Sequence, residues 1–319
     1  MIWLNHQEAK GSRMRFATRM NSFLSRGESL EQVIQNLQSI DGLTDIELNY
    51  PEHFVHYTNT DIAKMISDAN FSFSGVAVRF RKDFVDGEFG HSNNTQKAIE
   101  LAKSAIDTVK ELGGESITIW LEFDGNDYSF QMDYAEHWSR LITSLRELCD
   151  YEPGIKVSIE YKPFEPRSYS LTPNTGVTLH AAHLVARDNI GMTLDYCHSL
   201  MASENPAFAL TLALMENRLF GVHLNDGNGL MDDGMIIGSA TLVKTFEFLY
   251  YLKKFNFSGL VYFDTFPIRE NPYWETEMNI KVFNRIWNRL DEIGMDTIAQ
   301  GLAESKNQFG QSFVLNHLI

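Results

Sequence analysis

Four polar residues stand at or near the ends of successive apolar runs: Glu160 in VSIEYK, Asp195 in MTLDYCH, His223 in LFGVHLN and Asp264 in LVYFDTF. Any one of them is readily explained as a strand-end residue satisfied by a neighbouring loop. A set of three carboxylates and an imidazole is harder to explain that way. Like charges gathered in low dielectric raise one another's pKa and lose ionisation. A divalent cation removes the conflict. Oxygen-rich ligation with one nitrogen suits Mn²⁺, Mg²⁺ or Co²⁺ better than structural Zn²⁺, which prefers sulfur and nitrogen. His198 follows Asp195 by three residues, and HLNDGNGLMDDGM adds Asp226, Asp232 and Asp233. These could hold a second metal, although DDG is also an ordinary acidic turn. Lys162 lies two residues beyond Glu160, hence on the same side of a strand. Beside metal-bound oxygens its ammonium is a hydrogen-bond donor able to polarise a substrate carbonyl. The alternative, a self-neutralising Glu160–Lys162 pair, would add little stability.

Such residues meet only if the elements carrying them converge. Short β-type runs recur at 15–21, 45–51, 73–80, 116–123, 156–161, 191–196, 219–225 and 259–266, each followed by a longer helical pattern. In the stretch after the third run, Ile99, Ala102, Ile106 and Val109 fall at helical spacing and Gly113 ends the helix. Alternation of this kind predicts a parallel sheet, and eight units predict a single closed (β/α)8 TIM barrel. An open doubly wound sheet would carry a glycine-rich phosphate loop after its first strand, and RFATRMNSFLSRGESL has none. The expected division is a barrel over residues 1–305 and a tail over 306–319 that packs on the body or on a second subunit. Barrel active sites lie at the C-terminal ends of the strands, where Trp120, Asp124, Asn126, Glu160, Lys162, Asp195, His198, His223, Asn225, Asp226 and Asp264 fall.

The 319 residues are 44% hydrophobic, enough for a large core, and the formal net charge is -15. So acidic a chain repels phosphate backbones, which disfavours nucleic acid as a partner and suits a protein that collects cations. Cys149 and Cys197 are too few for a disulfide framework, no apolar run has membrane-span length, and the first fifteen residues lack a signal-peptide core. These features predict a soluble cytoplasmic enzyme acting on a small molecule, with a homo-oligomer open.

With the strands in place, the motifs resemble those of a known family. IEYKPFEPRSYS is similar to the E-x-K-x-x-E-P segment of xylose isomerases and, more closely, of L-rhamnose isomerases. IWLEFDGNDYSFQMDY, LDYCHSLMASEN and GVHLNDGNGLMDDGMIIGS resemble further rhamnose isomerase segments, in order, from about residue 73 to 264. The resemblance implies a xylose isomerase-like TIM barrel in which Glu160, Asp195, His223 and Asp264 hold a first metal that binds sugar hydroxyls. His198 and Asp232 would hold a second, mobile metal and its water. Lys162 would hydrogen-bond the substrate's first oxygen, and Trp120 would shield the reacting carbons, a role that ordinary core packing explains equally well. Lys162, Glu160 and Asp264 are then the expected catalytic residues. Mn²⁺ is the expected ion, with Mg²⁺, Co²⁺ or Zn²⁺ as alternatives. The implied reaction is aldose–ketose interconversion by a metal-assisted 1,2-hydride shift.

Some positions depart from the pattern. The family's acidic cluster reads Asp-x-Asp, and here Gly234 takes the third position, with Asp233 as a substitute. The early-strand histidine used for ring opening is replaced by the arginines of VAVRFRKDF, Arg79 and Arg81, which read equally as anion contacts or surface charges. His91, in the loop after the third strand, is a candidate in its stead. Arg167 and Arg269 follow rim segments and either bind substrate or bridge loops. A ketose 3-epimerase on the same fold is the alternative function. It resembles a pair of glutamates acting as acid and base with no strand-five lysine, so Lys162 and Asp264 favour the isomerase and Gly234 favours the epimerase. A sugar-acid enzyme, a barrel endonuclease and a non-catalytic sugar-binding barrel are further readings. The acidic charge disfavours the endonuclease and Lys162 the binding barrel.

Overall fold

The computed structural model describes residues 14–304 and 308–318. Eight parallel strands are found: β1 (Arg15–Thr18), β2 (Asp45–Tyr50), β3 (Ser72–Val78), β4 (Ser116–Trp120), β5 (Lys156–Glu160), β6 (Ile190–Asp195), β7 (Leu219–His223) and β8 (Leu260–Phe263). Their spatial order is β1-β8-β7-β6-β5-β4-β3-β2, so each strand lies beside its neighbours in sequence and the sheet curls round on itself. At the seam between β1 and β2, Thr44 substitutes for a ladder: its amide donates to Phe16 O at 3.0 Å, and its hydroxyl accepts from the Phe16 amide at 2.9 Å. The fold is a single (β/α)8 TIM barrel, as the alternation predicts.

Alternation along each strand explains which side chains reach the barrel interior. On β5, Val157 and Ile159 are fully buried members of the apolar core, while Ser158 and Glu160 occupy the opposite face. Ser158 Oγ meets Thr193 Oγ1 of β6 at 2.7 Å, and Thr118 Oγ1 of β4 lies 3.5 Å from the same atom. This layer of small hydroxyls fills the barrel below the site. Outside it, the helix Thr95–Leu112 buries Ala98, Ile99, Ala102, Ile106 and Val109 and ends at Gly113, whose φ of 74° is the left-handed conformation glycine adopts freely. Burying each of Ile99, Ile106 and Val109 contributes about 1.5–3 kcal/mol, which holds the outer helix on the strands.

After the last barrel helix (Pro272–Ile293) come the helices Met295–Ala303 and Phe309–His317. Phe309, Phe313 and Leu318 pack against the core, so the described part of the 306–319 tail lies on the body; Leu315 remains exposed. No helix of the described residues is long and apolar enough to cross a membrane.

Candidate metal centre

The strand ends converge on one cavity of about 260 Å³ lined by residues from all parts of the barrel. The inward positions of β5, β7 and β8 supply Glu160, His223 and Tyr262, with Lys162 and Asp264 just beyond the strands. From the first half come Arg19 after β1, Glu47 and Asn49 of β2, Ala77 of β3, Arg79 after it, and Trp120 of β4. His198 and Asp232 close the β6–β7 side, and Glu165 and Phe266 the mouth.

Glu160, Asp195, His223 and Asp264 each offer one ligand atom, all within 4.8 Å of one another, and Asp195, His198 and Asp232 form a second such group. His223 Nδ1 is 3.1 Å from Glu160 Oε1, and its Nε2 faces Glu47 Oε1 at 3.8 Å. Asp195 is the N-cap of the helix Tyr196–Met201 and accepts the His198 amide at 2.9 Å. That cap sets the helix so that the His198 ring faces the cavity, with Nε2 3.1 Å from Asp232 Oδ2. Asn225 Nδ2 donates to Asp195 Oδ2 and to the main-chain carbonyl of Asp264, both at 3.1 Å, bracing one carboxylate and the backbone that carries another.

The electrostatics show strain that a cation would relieve. Burial raises the Asp195 carboxyl, and the charges of Asp232, Glu160 and Asp264 add to it against His198, taking it up to about 7. Burial would likewise raise Glu160, but His223, His198 and Arg79 outweigh it and hold it at about 2. His198 moves the other way: burial lowers it, yet Asp195, Asp232 and Glu160 push it up to about 9. The cluster draws positive charge onto its histidines. His198 Nδ1 and Asp232 Oδ1 are nevertheless buried with no hydrogen-bond partner. Unsatisfied donors and acceptors inside a carboxylate cage fit a bound divalent ion.

Lys162 lies between Asp232 (2.9 Å) and Glu165 (3.0 Å), not against Glu160 as a self-neutralising pair would. Burial alone would lower its pKa; Asp232 and Glu165 raise it, so it remains an ammonium. The Trp120 ring lies 5.3 Å from Lys162 Nζ and 5.0 Å from the Arg79 guanidinium, which places it as a wall of the cavity.

Two expected substrate contacts lie elsewhere. His91 lines a neighbouring cavity of about 380 Å³ with His137, Asp127 and Arg167. The buried Asp124 accepts the amides of Glu88, Phe89 and Gly90 and turns that loop away from the metal cluster. Arg269 is exposed beyond the β8 exit and does not line the metal cavity. Asp226 does not join the second group either, since its carboxylate is consumed by the amides of Ala240 and Thr241 and the Thr241 hydroxyl. Asp233 accepts its own loop's Asn228 amide at 2.7 Å. Arg167 bridges loops, donating to the carbonyls of Asp124 and Glu122. Arg81 pairs with Glu52.

Sequence reasoning missed Glu47 and Arg19. Glu47 interrupts the apolar alternation of DIELNY just as Glu160 interrupts VSIEY, so a signal was present. Arg19, 3.2 Å from Asp264, left none.

With this geometry in view, the comparisons with known proteins are informative. A family described as "Xylose isomerase-like TIM barrel" matches residues 34–282. The chain belongs to that family. The match does not single out the rhamnose isomerase branch. A xylose isomerase of Thermus thermophilus is 27% identical over 194 residues, which is 58% of this chain and 50% of the relative. The chain thus spans about half the length of that relative. Among solved structures, an L-ribulose 3-epimerase superposes with a TM-score of 0.69 at 14% identity, covering 93% of this chain and 99% of that one. The IOLI protein with a bound zinc atom gives 0.68 at 18% identity, covering 86% and 98%. At such identities these structures share the fold.

Proposed function

We propose that this member of the family is a divalent-metal-dependent aldose–ketose isomerase. The observation that carries the reading is Lys162, an ammonium beside the carboxylate–histidine cluster yet bound to Asp232 and Glu165 rather than to Glu160. Glu160, Asp195, His223 and Asp264 hold the metal, with His198 and Asp232 as ligands of a second. A bound divalent cation supplies Lewis-acid polarisation of sugar oxygens. Mn²⁺ is the proposed ion, with Mg²⁺, Co²⁺ or Zn²⁺ as alternatives. Lys162 donates to the substrate's carbonyl oxygen as negative charge develops there. Trp120 covers the reacting carbons and keeps water from them, which favours direct transfer of hydrogen between adjacent carbons over exchange with solvent.

A second reading, ketose 3-epimerisation, is favoured by one observation: ligand atoms of Glu160 and Asp264 lie within 4.8 Å of each other, so both carboxylates could face one sugar carbon. The two readings separate in deuterium oxide. Protein stripped with chelator and reloaded with Mn²⁺ is offered aldoses and ketoses. An isomerase interconverts them with little solvent deuterium at the first two carbons, and Lys162→Met slows this by about 10²–10³ while metal content is retained. An epimerase incorporates deuterium at the third carbon and survives that change. Absence of metal binding, together with an unaltered Glu160→Gln variant, would sink both readings.

A further inference from the structure

The cavity holds three cationic side chains besides its histidines, and one differs from the others. Arg19 is paired with Asp264, and Lys162 with Asp232 and Glu165. Arg79 makes no ion pair and no side-chain hydrogen bond among the described residues, and its Nε is buried without an acceptor. Its one close side-chain partner is the Trp120 ring, 5.0 Å away. Arg81, two residues further on, is tied to Glu52, while Glu122, 3.8 Å from Arg81, keeps its Oε2 buried without a hydrogen-bond partner. Burial and the charge of Arg81 draw the Arg79 guanidinium below its ordinary range, against the more distant carboxylates of Glu122, Glu52 and Glu160.

A desolvated, unpaired guanidinium is destabilising unless a counter-charge arrives. A guanidinium presents a planar fork of donors that matches a carboxylate or phosphate, and stacking on an aromatic face fixes that fork in place. The placement is also polar in the geometric sense. The clustered metal-ligand candidates come from β5 to β8, whereas Arg79 and Trp120 stand at the ends of β3 and β4 in the same cavity. A sugar whose oxygens reach the β5–β8 cluster presents its other end to Arg79.

We infer that Arg79 recognises an anionic group, a carboxylate or phosphate, on the end of the substrate remote from the metal cluster, so that the substrates are acidic sugars or sugar phosphates. The inference rests on the reading of the cavity as a sugar site.

The test uses the full chain loaded with Mn²⁺ and three non-isomerisable probes that differ only at carbon 6 of one skeleton: D-glucitol, L-gulonate and D-glucitol 6-phosphate. Titration calorimetry gives their dissociation constants. The expected result is that at least one anionic probe binds about tenfold or more tighter than D-glucitol, as a charge-assisted fork permits. Which probe does so identifies carboxylate or phosphate. In Arg79→Gln the preference collapses to within about twofold. Should Arg79→Gln fail to fold, Arg79→Lys decides, because the preference then shrinks severalfold under the proposal and is unchanged if it is wrong. Equal binding of all three probes overturns the inference, as does a preference that survives the substitution, since the metal or another cation would then hold the anion. Turnover of neutral sugars with no anionic preference overturns this inference alone. An Arg79-dependent preference without turnover of any sugar overturns the isomerase reading alone.

Discussion

Gly234 stands where the resemblance places the second aspartate of an Asp-x-Asp cluster, and its surroundings predict what a side chain there would do. Its φ is +55°, in the left-handed region, and its carbonyl accepts the Phe266 amide at 3.0 Å, pinning the Asp232 loop to the exit of β8. A Cβ at this position would lie 2.4 Å from Phe266 Cδ2 and Cε2. Gly234→Ala therefore meets two independent penalties. The left-handed backbone costs an alanine about 1–2 kcal/mol, and forcing the ring aside costs about 1–3 kcal/mol. The sum is about 2–5 kcal/mol, or a fall in Tm of roughly 3–7 °C at about 2.1 cal/mol/K of unfolding entropy per residue. Urea denaturation of the metal-free protein measures it. Gly234→Ala combined with Phe266→Ala separates the terms. Removing the ring abolishes the clash and leaves the backbone strain, so the double-mutant cycle should show a favourable coupling of about 1–3 kcal/mol. A coupling below about 0.5 kcal/mol, or a neutral Gly234→Ala, would refute the reasoning. If it holds, Phe266 is the reason that an acidic residue does not stand at this position, and Asp232 serves the second group without it.

Glu160→Gln removes a ligand charge and the acceptor facing His223 Nδ1, so Mn²⁺ affinity should fall by at least about tenfold, read by titration calorimetry. Lys162→Met should retain the metal and lower kcat/KM by about 10²–10³, the range for loss of one donor to developing charge. Metal-free protein should lose stability as pH rises. His198 is raised from 6.5 to about 9, because Asp195 and Asp232 outweigh burial. A raised pKa means that folding favours the protonated ring, so this contribution is complete below pH 6.5 and is lost as pH climbs through about 9. Thermal melts across that interval should fall in the wild type and flatten in His198→Gln, and Mn²⁺ binding should tighten over the same range as the competing proton leaves.

What could be read in advance follows from the period of the strand. Side chains on β5 alternate strictly, so Glu160 among Val157 and Ile159 announced an inward charge before any coordinate was known. The same rule applies to Glu47, a buried carboxylate between Ile46 and Leu48 of β2. Loops have no such period. Nothing in GEFGHSNN tells His91 which way to face; the direction is set by Asp124, a residue over thirty positions away, gripping three amides of that loop. Asp226 and Asp232 look interchangeable in HLNDGNGLMDDGM, yet one carboxylate is used up by Ala240 and Thr241 while the other reaches His198 and Lys162. The consequence for function is specific. The convergence of Glu160, Asp195, His223 and Asp264 at the ends of β5 to β8 was legible, whereas the opposite side of the cavity depends on which charges are left unpaired after the loops have folded. Arg19, Arg79 and Arg81 are equivalent in composition. The pairing of Arg19 with Asp264 and of Arg81 with Glu52 leaves Arg79, among the three, as the guanidinium without an ion pair, so the anion recognition proposed for it rests on partners that the neighbouring arginines have already taken.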